Sequence, residues 1–496
     1  MRNCLIVIFI LSHFFSLNAF ASNQNLSQLE RLQNQGAKVS ALIINLSTKK
    51  TIAELSPNLR LSPASVSKLV IGADALETWG PSKTFSSQIL MRGVLKNNVL
   101  NGDLVFYGAG DPYLTNEKLW FLTSDVARYG ITKVTGKIIV NKSLFGNVDE
   151  DENRNHGRSH SKSAYDAPLS SSAVNFSVLA IVVSPAQSSG HAARVSLEPY
   201  NLPSVKIINN VTTIPSGPSK IFAERDSINN VDTFTVSGNI AVNSPQIRVY
   251  RSIANPDQYA GEVLNAFLNH NGVQTSGNIA IENRPLKATD KPVSQVQSFP
   301  LNWQLRGLFE MSNNFIADML TLNLGLENHD PNESNFLQSS AKNLENYMQN
   351  LNTNSNHVDN PLVLHSGSGL TPENRLSAKD VIALLARMYS KANLFPEFLS
   401  ALATPGAEGT LKNRFKKINS TKSELVFEKE LMLRAKTGTL TEPLDVVSLA
   451  GYSRLKNGDW IALALIVNGS AKNSSFSVAN IRSAMDSDLL EILTEK

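Results

Sequence analysis

Cysteine is all but missing from this chain: its single thiol, Cys4, lies in an apolar N-terminal stretch. With that stretch removed, disulfides, thiol nucleophiles and cysteine metal sites are excluded. Long apolar runs are missing too; no second one reaches the roughly 20 residues that a bilayer span needs. There is no basic stripe with interleaved aromatics, and the net charge is only +4, so nucleic-acid binding is not expected. No internal repeat occurs. What remains is ordinary for a globular protein, with 42% hydrophobic and 18% charged residues. A length of 496 residues implies two or three domains.

The N-terminus reads as a secretory signal. Arg2 is followed by an apolar run over 5–15, broken only at Ser12 and His13, and then by Ala19-Phe20-Ala21. Cleavage is expected after Ala21. A membrane anchor is the alternative, but the run is too short to span. Cys4 precedes the apolar run, which argues against a lipoprotein site. The mature chain is expected to be soluble in an oxidising compartment, held by its core.

Periodicity organises the rest. A short helix is expected over 25–35, a strand over 39–46, and a helix beginning near 61–63 and running to 76, with Ser62 as cap and Pro63 at the first helical position. From about 84 to 293, runs at 88–95, 99–107, 133–140, 231–240 and 246–252 alternate like strands. The polar stretch 149–162 reads as an exposed loop. Helical periods return at 301–311, 315–324, 339–351 and 378–389, with polar connectors at 327–335 and 352–360. Strands at 431–436, 446–452 and 460–467 precede a closing amphipathic helix. One domain built from both chain ends, with a β-rich block inserted, is the expected organisation.

Three short elements carry chemistry. Ser65 and Lys68 are three residues apart, which places them on one helix face. Serine is a poor nucleophile without an adjacent base. Lysine serves as a base only when neutral, which at an ordinary pKa costs about 4.6 kcal/mol at pH 7; Lys68 must therefore be buried or near another cation. The same spacing recurs at Ser47–Lys50, Ser159–Lys162 and Ser339–Lys342, but only Ser65–Lys68 has a helix start, an apolar helix behind it and a preceding strand. Lys436-Thr437-Gly438-Thr439 sits at the end of a predicted strand and suits a carboxylate-bearing peptide laid along a sheet edge. Ser312-Asn313-Asn314 falls between two predicted helices. That triplet pattern is common here, as at Ser227–Asn229, Ser237–Asn239 and Ser276–Asn278, so its value lies in its place between the other two.

In this order the three elements resemble the signature of penicillin-binding proteins and serine β-lactamases. The long gap from Ser65 to Ser312 is similar to that of the class C low-molecular-mass penicillin-binding proteins, the D-alanyl-D-alanine carboxypeptidase/endopeptidase family. Further similar segments are Gly102-Asp103-Leu104-Val105 leading to Gly108-Ala109-Gly110-Asp111-Pro112, Tyr165-Asp166-Ala167-Pro168 with Asn175, Gly367-Ser368-Gly369-Leu370 followed by Asn374-Arg375-Leu376-Ser377, and Gly409-Thr410-Leu411 with Arg414.

The resemblance implies a multi-domain α/β fold. A penicillin-binding/β-lactamase-like transpeptidase domain, an antiparallel sheet plus helices, would occupy 22–83 and 296–496. A β-rich insert of two modules would occupy 84–295. It implies a periplasmic serine D-Ala-D-Ala carboxypeptidase, with DD-endopeptidase activity as a second reaction. Peptidoglycan stem peptides would be substrates and β-lactams covalent inhibitors. Neither a metal nor an organic cofactor is required. Ser65 would be the acylated nucleophile, Lys68 its base and Ser312 the proton relay to the leaving amine. Asn314 would bind the substrate amide and orient Lys68. Lys436 would supply positive potential, and Thr437 and Thr439 would bind the terminal carboxylate beside Gly438. The backbone N–H groups of Ser65 and Thr439 would form the oxyanion hole.

Two departures stand out. The family's Asp-x-Ser-x-Phe segment, which helps read the stem-peptide amine, is here Asn141-Lys142-Ser143-Leu144-Phe145. The aspartate before Gly-Ser-Gly-Leu is replaced by Ser366, preceded by His365. His156 and His160 have metal-compatible spacing but no clear third ligand. The turn at 108–111 lacks the features of a nucleotide loop. The rival readings are a serine β-lactamase, which the long insertion disfavours, and a non-catalytic penicillin-binding scaffold, which the intact motif residues disfavour. Ser65 is expected to be the sole acylated residue. Peptide mapping after fluorescent-penicillin labelling should find the adduct there, and Ser65→Ala should label at background; an adduct elsewhere would remove Ser65 as nucleophile.

Overall fold

The computed structural model describes residues 25–148, 163–229, 231–328, 335–351, 361–407, 409–419, 424–427, 432–470 and 476–494. The expected signal at 1–21, the loop histidines 156 and 160, and Ser159–Lys162 lie outside these.

A five-stranded antiparallel sheet joins the two ends of the chain. Its order is Leu433–Leu440, Val446–Arg454, Trp460–Asn468, Lys38–Asn45, Thr51–Leu55. Strand Lys38–Asn45 pairs with Trp460–Asn468 in continuous register from Lys38 opposite Asn468 to Asn45 opposite Ile461. Strand Trp460–Asn468 is apolar on both faces because both are covered. Ile461, Leu463, Leu465 and Val467 pack with the N-terminal helix Ser27–Asn34 and the closing helix Val478–Thr494. Ala462, Ala464 and Ile466 face the opposite layer, which holds helices Lys68–Trp79, Leu301–Phe309, Asn314–Gly325 and Ala378–Tyr389. The period of two along one strand thus assigns alternate residues to two cores.

The block between these ends contributes a six-stranded mixed sheet and two three-stranded sheets. Its first strand, Ser86–Lys96, and its last, Lys291–Gln297, are neighbours, with Ser86 opposite Gln297. The Phe85 N–H donates to the Ser298 hydroxyl at 2.9 Å, so chain exit and return share one neck. A single buried cluster runs through all three sheets, from Ile89 and Leu104 through Ile181 to Phe234.

Several expectations are corrected. The run 133–140 is two strands, Lys133–Val134 and Ile138–Asn141. The block also holds helices Asn116–Arg128 and Pro256–His270, which strand alternation did not anticipate. The second had a legible start: the Asn255 side chain accepts from the Gln258 N–H, and Pro256 opens the helix. Ser62 and Pro63 do not begin the nucleophile helix. Ser62 is tied to strand Trp460–Asn468, its N–H donating to Asn468 Oδ1 at 3.0 Å and its carbonyl accepting from Asn468 Nδ2 at 3.1 Å. The helix opens instead with the tight turn Ala64–Ser67 and continues as Lys68–Trp79.

Helix Ala378–Tyr389, which packs on the central sheet, is anchored at its start. Ser377 and Asp380 form a reciprocal capping box, and Arg60 Nε donates to Asp380 Oδ2 at 2.9 Å in a buried pair. Asp380→Ala removes the acceptor of the Ser377 N–H, one half of the capping box, and the carboxylate facing a buried guanidinium. Urea denaturation should show a loss of about 3–5 kcal/mol. Asp380→Asn, which can still accept from the Ser377 N–H, should lose less; equal losses would show that this capping contact contributes nothing beyond the ion pair.

Candidate active site

Ser65 sits in the Ala64–Ser67 turn, and Lys68 begins the helix behind it. This placement requires strain: Ala64 is in the left-handed region at φ 47°. The turn is held by backbone packing. A Cβ on Gly369, itself at φ 67°, would lie 2.0 Å from the Ala64 carbonyl oxygen, so only glycine lets that loop approach. On the other side, a Cβ on Gly438 would lie 2.1 Å from the Ser448 hydroxyl and 3.0 Å from the Ser65 nitrogen. The Ser448 hydroxyl donates to the Pro63 carbonyl at 2.6 Å.

Lys68 is fully buried, and Nζ has three oxygen neighbours: Ser65 Oγ at 2.9 Å, Asn314 Oδ1 at 2.6 Å and the Ser368 carbonyl at 2.6 Å. Two of these oxygens can only accept. A neutral amine has two N–H bonds and one lone pair. With both N–H bonds given to Asn314 and Ser368, the lone pair faces the Ser65 hydroxyl. As an ammonium, Lys68 gives its third proton to Ser65 Oγ along the same line. The two states differ by one proton transfer over 2.9 Å. The acceptors are themselves oriented: Asn314 Nδ2 donates to the Tyr165 carbonyl at 2.9 Å, and the Ser368 N–H donates to Asp318 Oδ1 at 3.1 Å.

Ser312 also occupies the left-handed region, at φ 58°. It links helix Leu301–Phe309 to helix Asn314–Gly325, which the Asn313 side chain caps by accepting from the Ile316 N–H. This conformation brings Ser312 Oγ to 2.7 Å from Lys436 Nζ, which also donates to the Thr437 carbonyl at 2.7 Å. Lys436-Thr437-Gly438-Thr439 lies within strand Leu433–Leu440 rather than at its end. That strand is the edge of the five-stranded sheet and pairs within it with Val446–Arg454; on its other side Ala435 bridges to Ala403, and Gly438 lies against the nucleophile turn.

Ser65, Ser312, Thr437 and Thr439 line one cavity of about 940 Å³. Lys436 is completely buried. Its pKa is held well below the ordinary lysine value, first by burial and then by the nearby Lys68.

Other sequence candidates go elsewhere. Asn141 is fully buried and satisfied locally: Nδ2 donates to the Arg284 carbonyl at 2.8 Å, and Oδ1 accepts from the Ser143 hydroxyl at 2.7 Å. It is therefore not presented to a substrate amine, a correction to the role implied for that segment. Ser339–Lys342 lies along helix Phe336–Leu351, where Lys342 pairs with Glu345. Half-buried His365 contacts Gln338 at 3.2 Å through Nδ1. Ser366 is buried, its hydroxyl 3.2 Å from that of Ser368. Sequence reasoning gave no role to the Ser368 carbonyl, Asp318, Ser448 or Asn374, whose Nδ2 donates to the Ser67 hydroxyl at 2.9 Å. Ser368 and Asn374 lay in segments already similar to the family; Ser448 carried no signal.

Fold and site together define a serine acyl-transfer centre on a penicillin-binding type of scaffold. The chain belongs to the D-Ala-D-Ala carboxypeptidase 3 (S13) family, matching it over residues 22–491. It is 23% identical over 466 residues to the D-alanyl-D-alanine carboxypeptidase DacB of Haemophilus influenzae, covering 93% of this chain and 91% of that protein. It is 26% identical over 456 residues to the D-alanyl-D-alanine carboxypeptidase of an Actinomadura species, covering 88% and 78%. The crystal structure of penicillin-binding protein 4 from Haemophilus influenzae shares its fold, with a TM-score of 0.72 at 20% identity over 95% of this chain and 100% of that one; that protein has also been crystallised with a β-lactam. No helix among the described residues is long and apolar enough to cross a membrane.

Because the Lys436 pKa is depressed in the fold, the unfolded chain binds more protons between the folded value and about 10.4. Stability therefore rises with pH across that window, and Lys436 weakens the fold most at its lower end. Lys436→Met should raise the melting temperature at pH 7 by a few degrees. The gain should shrink as pH approaches 10, while penicillin labelling falls at least a hundredfold. A lower melting temperature at pH 7 would show that the hydrogen bonds to Ser312 and Thr437 outweigh the burial of the amine.

Proposed function

We propose that this protein is a periplasmic serine D-Ala-D-Ala carboxypeptidase that trims peptidoglycan stem peptides through an acyl-enzyme on Ser65. The observation that carries the reading is the Lys68 amine set 2.9 Å from Ser65 Oγ with its other contacts on two acceptor-only oxygens. Family membership and the two curated carboxypeptidase relatives support it.

In this reading Ser65 Oγ attacks the carbonyl of the penultimate D-alanine as its proton passes to Lys68. The developing oxyanion is met by the backbone N–H groups of Ser65 and Thr439. The C–N bond breaks, and the proton that Lys68 took passes through Ser312 to the departing amine, which returns Lys68 to its neutral form; Lys436 touches Ser312 at 2.7 Å. Water then attacks the ester, giving a proton to Lys68, and Lys68 returns that proton to Ser65 Oγ as the acyl C–O bond breaks. Asn314 binds the substrate amide, and Thr437 and Thr439 receive the terminal carboxylate. Gly438 admits the substrate backbone. β-Lactams acylate the same serine. Residues 22–83 and 296–496 form the catalytic unit around 84–295; the shared neck at Phe85 and Ser298 supports that division. Cleavage of cross-links is a second activity of the same site, because the cavity extends beyond the catalytic groups as far as helix Val478–Thr494.

Mass spectrometry of purified pentapeptide muropeptides incubated with the protein should show loss of one terminal D-alanine. Lys68→Arg should abolish the reaction at near-neutral pH while the fold is retained, because arginine stays protonated. Only a slight fall in that variant would exclude Lys68 as the proton acceptor, and intact pentapeptides with the unmodified protein would refute the activity.

A further inference from the structure

The hydroxyl of Thr439 has a neighbour from a distant part of the chain. Arg482, in helix Val478–Thr494, donates from Nη2 to Thr439 Oγ1 at 2.9 Å. Arg482 lines the same cavity as Ser65, Ser312 and Thr437. One turn further along that helix, Asp486 is already engaged by Arg414, whose Nε donates to Oδ1 at 3.1 Å and to Oδ2 at 3.3 Å. Asp486 is near enough to Arg482 to favour its charge, but its ion pair is made with Arg414. Partial burial and then the Arg414 charge disfavour its protonated form while Asp486 favours it, and a guanidinium keeps its proton.

Lys436 is a poor partner for a substrate carboxylate. It is enclosed, its pKa is depressed, and its amine is committed to Ser312 and to the Thr437 carbonyl. Thr437 and Thr439 offer neutral hydroxyls. An anion at the mouth of the cavity therefore needs another permanent positive charge, and Arg482 is the cation in contact with the Thr439 hydroxyl.

We infer that Arg482 is a specificity-determining residue, binding with Thr439 the α-carboxylate of the amino acid that leaves from the scissile bond. This rests on the carboxypeptidase reading and deepens it. The anion would bridge the threonine hydroxyl and the guanidinium, and the charge-assisted bond would select a free acid over a neutral C-terminus.

The test compares kcat/KM for a D-Ala-D-Ala peptide and its C-terminal amide, for unmodified protein, Arg482→Gln and Arg482→Lys. Unmodified protein should prefer the acid. That preference should fall about tenfold to a hundredfold in Arg482→Gln, the range expected for a hydrogen bond to a charged group, and Arg482→Lys should retain part of it. In a Thr439→Val background Arg482→Gln should still weaken the acid preference. Loss of the arginine effect in that background would show that Arg482 merely positions Thr439. Equal losses on acid and amide, or no loss, would overturn the inference alone. Failure of the unmodified protein to release D-alanine from either peptide would overturn the carboxypeptidase reading and this inference with it.

Discussion

Everything in the catalytic centre is arranged around one nitrogen. Lys68 Nζ lies in a fully buried position within 2.9 Å of three oxygens, two of which can only accept. An isolated buried ammonium would be costly, and an amine without fixed neighbours would have no reason to direct its lone pair at Ser65. The Asn314 amide and the Ser368 carbonyl supply that direction. Each is held by a further bond, from Asn314 to the Tyr165 carbonyl and from the Ser368 N–H to Asp318. The Tyr165 contact draws the block between the chain ends into the site.

The backbone is strained where these groups meet. Ala64 and Ser312 both have positive φ without being glycine, and each turns a hydroxyl-bearing segment toward the cavity. Such conformations cost about 1–3 kcal/mol each and persist only when the surroundings over-determine them. Gly369 and Gly438 are the means: each lets a neighbouring segment approach closer than any side chain would allow. The edge strand Leu433–Leu440 could not otherwise lie against the nucleophile turn.

Charge is graded from inside to outside. Lys436 is enclosed and resists protonation, so it suits proton handling with Ser312 better than anion capture. Arg414 is neutralised by Asp486, and Arg482 stands at the Thr439 hydroxyl. The buried amine trades stability for chemistry, a pattern common where a site needs an uncomfortable group.

Much was legible in the sequence because it is local. Helix Ala378–Tyr389 has the bounds its period suggests and carries its own start signal in Ser377 and Asp380. The chemistry of Ser65 with Lys68 follows from a spacing of three on a helix. Family membership followed from short segments whose residue types are demanding. Other features have no local cause. Ser62 and Pro63 look like a helix start, but Asn468, more than 400 positions away, holds Ser62 outside it. Asn141 stands where the family's amine-reading aspartate would, yet Arg284 and Ser143 engage its amide. Arg482 is one charge among many on an amphipathic helix until the sheet places Thr439 beneath it. By itself the sequence determined which groups could react, because composition and short spacings decide that. Only the tertiary structure decided which of them meet, because hydrogen bonds and packing between distant segments leave no period along the chain.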